Sequence, residues 1–218
     1  RFELAAATEP ARGATPRWNG GRVKPIAYLS LALVLLTFAF IVFRRWVRRD
    51  YLALGHLSKL ASGMQLVVFV GYFVFPYLFN PPEWAGFWRL DGPSSPVLQV
   101  TGLILICVGF LVAFGTMLWF GMARAFGRDV TRLVQNGPYG TCRNPQILGG
   151  TLLVIGTSLQ WPSLYSLGWI LLYGIISHWM VITEEEHLAR VFGGEYDKYC
   201  QEVPRYLFKA KRQDGASA

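Results

Sequence analysis

The chain has 218 residues, of which 53% are hydrophobic, 16% charged and 15% aromatic. A soluble domain carries about a quarter charged residues, so these figures exclude an ordinary soluble enzyme, a disordered chain and a collagen-like repeat, and point to an integral membrane protein. The formal net charge of +8 does not call for nucleic acid, because the cations gather beside apolar spans, where lipid headgroups lie.

Residues 1–24 are polar, rich in Gly, Pro and Ala, and lack the charged-then-apolar order of a signal peptide. Pro25 to Phe43 then runs 19 residues without a charge and ends in Arg44-Arg45-Trp46 and Arg48-Arg49. Length, flanking cations and an interfacial Trp make it a spanning helix. Met64 to Phe79 is a second run, able to borrow a turn from Leu57–Ser62 and stopped by Pro81-Pro82. Val97 to Phe120, 24 residues, is long enough to span.

Ile147 to Trp161 offers only 15 apolar residues, too few to guarantee a full crossing, and Leu164 to Ile182 follows with His178 as its one strongly polar interruption. The short link at Pro162-Ser163 makes these two an antiparallel hairpin. The expected fold is an all-α, polytopic membrane helix bundle of about five spans. It divides into the segment 1–24, three transmembrane helices within 25–121, a region 122–208 that includes the hairpin 147–182 and a cytoplasmic cap, and a polar tail 209–218. Loops 44–63 and 121–146 with the whole stretch after residue 183 hold 15 of the 21 Lys and Arg, against one in 80–96. That side, with the C-terminus, is expected to be cytoplasmic. The five basic residues in 1–24 run against this assignment.

Cys107, Cys142 and Cys200 lie far apart, without CxxC spacing, so neither a disulfide framework nor a zinc site is expected. His56, His178 and His187 lack HExxH-like spacing, and no GxGxxG or Walker loop occurs. The polar chemistry concentrates in 124–146 and 183–208. Asn136-Gly137-Pro138-Tyr139-Gly140 reads as a turn, and Arg143-Asn144-Pro145-Gln146 opens the fourth helix at a proline. Helix-opening amides bind anions, and Arg143 adds a bidentate carboxylate donor; the competing reading is an Arg reaching for lipid headgroups. Thr183-Glu184-Glu185-Glu186-His187 is expected to close the fifth helix, where three carboxylates oppose the helix dipole unless cations or a ligand compensate. His178 and Glu185, seven apart, share a helix face.

Taken in order, Gly137-Pro138-Tyr139, Arg143-Asn144-Pro145, Gly149, Glu184-Glu185, Leu188, Phe192-Gly193, Tyr196, Tyr199 and Val203-Pro204-Arg205 resemble the isoprenylcysteine carboxyl methyltransferase family, close to the phospholipid methyltransferases. The resemblance covers roughly 100–208. Three positions depart from the family pattern: Asn144 stands for a His, Ile147 for a Tyr and Phe208 for a Pro. Asn exchanges hydrogen bonds but is no base near neutral pH.

The resemblance implies an S-adenosylmethionine-dependent methyltransferase acting on a lipophilic acceptor, prenylated or lipid-like, that enters from the bilayer. It implies cofactor contacts from Tyr139, Arg143, Asn144, Pro145, Gly149, Glu184, Glu185 and Leu188, with Arg205 and Asn144 nearest the reaction. Tyr196 and Tyr199 are expected to pack the cap. Two other readings stand beside it. Tyr199-Cys200 with Val203-Pro204 also resembles the ending of NADPH-dependent membrane sterol reductases, and Asn144 with Ile147 leaves room for a non-enzymatic membrane subunit of the same fold.

Overall fold

The computed structural model describes residues 25–79, 94–121 and 132–207. The polar segment 1–24, residues 80–93 with Pro81-Pro82, residues 122–131 of the loop 121–146, Phe208 and the tail lie outside the described residues. The described chain is helical throughout. Helix α1 covers Pro25–Ala53, with a π-helical stretch at Val42–Val47. It is followed by α2 (Lys59–Val74) with a 3-10 turn at Phe75–Leu78, α3 (Pro96–Phe120), α4 (Pro145–Gln160), α5 (Leu164–Phe192) and the short α6 (Gly194–Glu202).

Four of these helices are long and apolar enough to cross a membrane, and α4 is not among them. Its 16 residues span about 24 Å at 1.5 Å per residue, against roughly 30 Å of hydrocarbon. Two helices run further than the apolar pattern suggests. α1 continues past Arg44 to Ala53, and α5 continues past the carboxylates to Phe192. The expectation that Thr183–His187 closes the fifth helix is therefore corrected: the carboxylates lie inside it, and the helix stops at Gly193, whose φ is 51°. Partners compensate two of the charges. Glu186 meets Arg44 and Arg48, and Glu185 meets Arg143 and Arg205, so neither breaks the helix.

Contacts fix the helix directions. Tyr28 donates to the Tyr165 carbonyl at 2.9 Å, and Arg44 reaches Thr183 and Glu186. Residue numbers rise together along this interface, so α1 and α5 run parallel. Along α3 and α4 the order reverses, Gly102 lying against Gly156 and Gly109 against Gly149, so that pair is antiparallel. At each crossing a Cβ would fall within 2.8 Å of facing backbone. Hydrogen at all four positions lets the helices close to backbone contact, the small-residue device of membrane bundles.

The larger core joins α1, α2 and α5. Trp169 stacks on Tyr72 with ring centroids 5.2 Å apart, its indole N–H donates to the Tyr72 carbonyl, and the Tyr72 hydroxyl donates to the Trp169 carbonyl. Apolar side chains left outward, such as Leu111, Leu118, Leu164 and Leu33, form the surface that faces lipid tails.

The turn between α1 and α2 is built around Asp50. Its carboxylate accepts from both the backbone N–H and the hydroxyl of Ser58, and Ser58 Oγ caps α2 by accepting from Ala61 N at 3.2 Å. Ser58→Ala is expected to destabilise the protein by about 1 kcal/mol, read from the unfolding midpoint in detergent.

With α1, α3 and α5 parallel and α2 and α4 opposed, the ends of α1, α3 and α5 meet the starts of α2 and α4. Arg44, Arg48, the turn 137–144, the three carboxylates and α6 all collect at that one end.

Candidate functional site

The turn Gly137–Gly140 is a single 3-10 turn. Gly137 has φ 59°, and a Cβ there would sit 2.5 Å from the Trp119 ring, so both backbone conformation and space require glycine. Trp119 in turn stacks on Tyr139, with centroids 6.3 Å apart. Tyr199, from α6, donates its hydroxyl to the Tyr139 carbonyl at 2.7 Å. Burial first, then the nearby Glu184 carboxylate, pushes the Tyr139 phenol well above its ordinary pKa, so it remains a hydrogen-bond donor at neutral pH.

After the turn, three consecutive residues hold the chain that follows α6. The Cys142 thiol contacts the Arg205 carbonyl at 3.7 Å, the Arg143 backbone N–H donates to the Pro204 carbonyl at 2.9 Å, and the Asn144 amide donates to the Arg205 carbonyl at 3.1 Å. Burial pushes the Cys142 thiol above its usual range, which keeps it uncharged and poorly nucleophilic.

Glu185 is the centre of an ion triad. Arg143 Nη1 lies 3.1 Å from one oxygen and Arg205 Nη2 2.7 Å from the other, with side-chain exposures of 12% for Arg143 and Glu185 and 38% for Arg205. Arg205 Nε also donates to both oxygens, and this pairing holds the guanidinium above its ordinary pKa. The same Arg143 Nη1 lies 2.7 Å from Cys200 Sγ. Among the described residues, Arg143 Nε is buried without a partner, as is Gln146 Nε2 at the start of α4.

Glu184 and Glu186 diverge from Glu185 by about 100° each around α5, and their surroundings differ accordingly. Glu186 accepts from Arg44 and Arg48, both at 2.8 Å, which ties α5 to α1. Glu184 has no ion pair or hydrogen bond among the described residues, although it lies close enough to Tyr139 to act on its phenol. One turn on, buried His187 stacks on Tyr51 at 4.1 Å.

Of the residues singled out in the sequence, Arg143, Glu185 and Arg205 come into direct contact, and Asn144 touches the same C-terminal segment. Tyr139 is linked to the group through Tyr199, and Leu188 packs with Tyr196, Tyr199 and Val203, where the two tyrosines do fill the cap. Pro145 is buried as the first residue of α4, and Gly149 lies in the α3–α4 crossing. The Arg44–Glu186–Arg48 cluster and the Cys200 contact are new; residues more than 50 positions apart leave no spacing signal for either. A cavity of about 510 Å³ opens alongside between Trp119, Arg132, Leu133, Gln135, Asn136 and Glu195. None of the residues singled out for the cofactor lines it.

No curated protein and no solved structure matches the chain. Four membrane-length apolar helices make it an integral membrane protein. Residues 97–195, from α3 to the first turn of α6, match the model of the phospholipid methyltransferase family, as the order of motifs along the chain indicated.

Proposed function

We propose that the protein is an S-adenosylmethionine-dependent methyltransferase whose acceptor is lipophilic and reaches the site from the bilayer, with the site and the C-terminus on the cytoplasmic side. One observation carries this reading. Within the family-matched segment, the buried Arg143 Nε and Gln146 Nε2 have no partner among the described residues, and the half-buried Glu184 carboxyl at the same end of the bundle has no ion pair or hydrogen bond among them. Buried polar groups are normally satisfied, and these three are the complement of an amino acid: donors for its carboxylate and an acceptor for its ammonium or for ribose hydroxyls.

The cofactor supplies a methyl group made electrophilic by a sulfonium. Arg143 and Gln146 hold the anionic end, and Glu184 takes the ammonium or the hydroxyls. Leu188 offers an apolar wall for adenine, while the Tyr139 phenol donates nearby. Glu185 sets the Arg143 guanidinium in place from behind. Asn144 and Arg205 close the C-terminal segment over the site, which excludes water from the charged partners and strengthens their attraction. Correct positioning supplies much of the rate of such a transfer. The cation-rich end carrying Arg44, Arg45, Arg48 and Arg49 supports the cytoplasmic orientation.

The test is ligand-dependent unfolding of the detergent-solubilised protein. S-adenosylhomocysteine at a hundredfold excess over its Kd should stabilise the fold by about 2.7 kcal/mol and raise the melting temperature. Stabilisation by NADPH with none by S-adenosylhomocysteine would select the reductase reading, and none by either would leave a non-enzymatic subunit.

A further inference from the structure

The three carboxylates of α5 lie beside different charges. Glu185 has Arg143 and Arg205, and Glu186 has Arg44 and Arg48. Among the described residues, the charge that acts on Glu184 is its neighbour Glu185, and no cation does. Two phenols face it instead: Tyr139 from the turn before α4 and Tyr51 from α1, each within electrostatic reach of its carboxylate. Tyr51 gains this position because α1 outruns its apolar stretch. Beyond Phe43, successive residues of α1 meet α5, Arg44 at Thr183 and Glu186, Arg48 at Glu186, and Tyr51 at His187. The Tyr51 ring lies flat on the His187 imidazole, with centroids 4.1 Å apart and planes 9° from parallel. His187 follows Glu184 by three residues, on the same face of α5. Both rings are buried, at 6% and 2% exposure, yet the Tyr51 hydroxyl makes no hydrogen bond to any described residue. This phenol stands at the site although α1 lies outside the segment that matches the family model, 97–195.

We propose that Tyr51 is a further cofactor-binding residue, and that its hydroxyl oxygen and the Glu184 carboxylate together form the subsite for the cofactor's α-ammonium. The inference rests on the methyltransferase reading and deepens it: Glu184 takes the ammonium and not the ribose hydroxyls, and α1 becomes part of the site. Charge decides between the two groups. A carboxylate drawn out of water needs an opposite charge. Ribose hydroxyls are neutral, whereas an ammonium brings one positive charge and three N–H donors. Glu184 accepts from the ammonium, and the Tyr51 oxygen accepts from a donor that the carboxylate leaves over. His187 is a positioning residue, since its imidazole fixes the plane of the Tyr51 ring. The Arg44–Glu186–Arg48 cluster positions α1 against α5 in the same way.

The experiment uses the full chain in detergent and two ligands, S-adenosylhomocysteine and the analogue in which hydrogen replaces its α-amino group. Both are titrated calorimetrically into the parent, Tyr51→Phe, Glu184→Gln and, as a control from the far end of α2, Tyr77→Phe. Phenylalanine keeps the ring that stacks on His187 and removes only the oxygen. The parent and the control should prefer S-adenosylhomocysteine to the analogue. Tyr51→Phe should bind S-adenosylhomocysteine about 10-fold more weakly, the lower end of the range for a hydrogen bond to a charged group, and bind the analogue as the parent does. Glu184→Gln should show the same selective loss. Three results each overturn the proposal while leaving the methyltransferase reading intact: a parent indifferent to the amino group, parental S-adenosylhomocysteine binding in Tyr51→Phe or Glu184→Gln, and an equal loss of both ligands in Tyr51→Phe. The last is what a merely structural tyrosine would give. If Tyr51→Phe fails to fold, a fluorine beside the Tyr51 hydroxyl of the otherwise unaltered chain decides. Its resonance should move with S-adenosylhomocysteine and stay with the analogue, and equal movement overturns the proposal. A parent that binds no S-adenosylhomocysteine overturns both readings.

Discussion

Replacing Arg143 by Leu should lower the unfolding free energy by about 3 kcal/mol, the lower end of the cost of breaking a buried ion pair from one side. Arg143 and Glu185 are equally secluded, at 12% side-chain exposure each, and the substitution removes the deeper of the two cations holding the carboxylate. Arg205 remains, but at 38% exposure its pairing is screened by solvent and recovers only part of the loss. The measurement is equilibrium unfolding in detergent. The companion variant is Arg143→Leu combined with Glu185→Leu. Removing both charges leaves only the Arg205 cation, which at 38% exposure is solvated by water, so the double variant should be more stable than the single one, while S-adenosylhomocysteine binding stays impaired because the Arg143 donors for its carboxylate are gone. A double variant that is as unstable as the sum of the two single changes would show that the pair is not coupled.

The second large effect belongs to the α3–α4 crossing. A Cβ on Gly109 would lie 2.6 Å from both the Gly149 carbonyl oxygen and the Leu153 nitrogen, and one on Gly149 would lie 2.5 Å from the Ala113 nitrogen. These neighbours are backbone atoms of regular helices and cannot rotate aside. Gly109→Leu should therefore force the helices apart and cost about 3 kcal/mol, the upper part of the usual overpacking range, with a matching drop in the unfolding midpoint. Gly115→Ala on the same helix is the control, because a Cβ there meets nothing within 4 Å. It should be neutral or stabilise by about 0.5–1 kcal/mol through the helix preference of alanine.

Much of this architecture is legible before any coordinates. The uncharged runs and their flanking arginines locate α1, α2, α3 and α5, because hydrocarbon tolerates only long, internally satisfied apolar helices. The prolines at the openings of α1, α3 and α4 mark helix starts, since a first-turn residue donates no intrahelical bond. The end of α5 was not legible in this way. Three consecutive carboxylates resemble a solvated terminus until the cations that receive two of them are seen, and those cations come from α1, from the turn before α4 and from beyond α6. The same limit applies within the site. Glu184, Glu185 and Glu186 are chemically identical in the sequence, but one turn of helix sends them to three surroundings. Which of them is free to bind a ligand depends on rotation about α5, which composition does not record.

The clasp that joins Arg143, Asn144 and Cys142 to Pro204 and Arg205 also bears on the order in which the protein matures. Synthesis delivers the chain from its N-terminus at about 5–20 residues per second, and apolar helices can enter the bilayer as they emerge. The turn at 137–144 is then in place well before its counterpart exists. Its backbone N–H at Arg143 must wait, served by water or headgroups, until Pro204 leaves the ribosome, and Glu185, already within reach of Arg143, gains its second cation only with Arg205. The membrane scaffold is thus built progressively, whereas the clasp closes in a single late step. A nascent chain halted a few residues before Arg205 would have its helices inserted and no enclosed site.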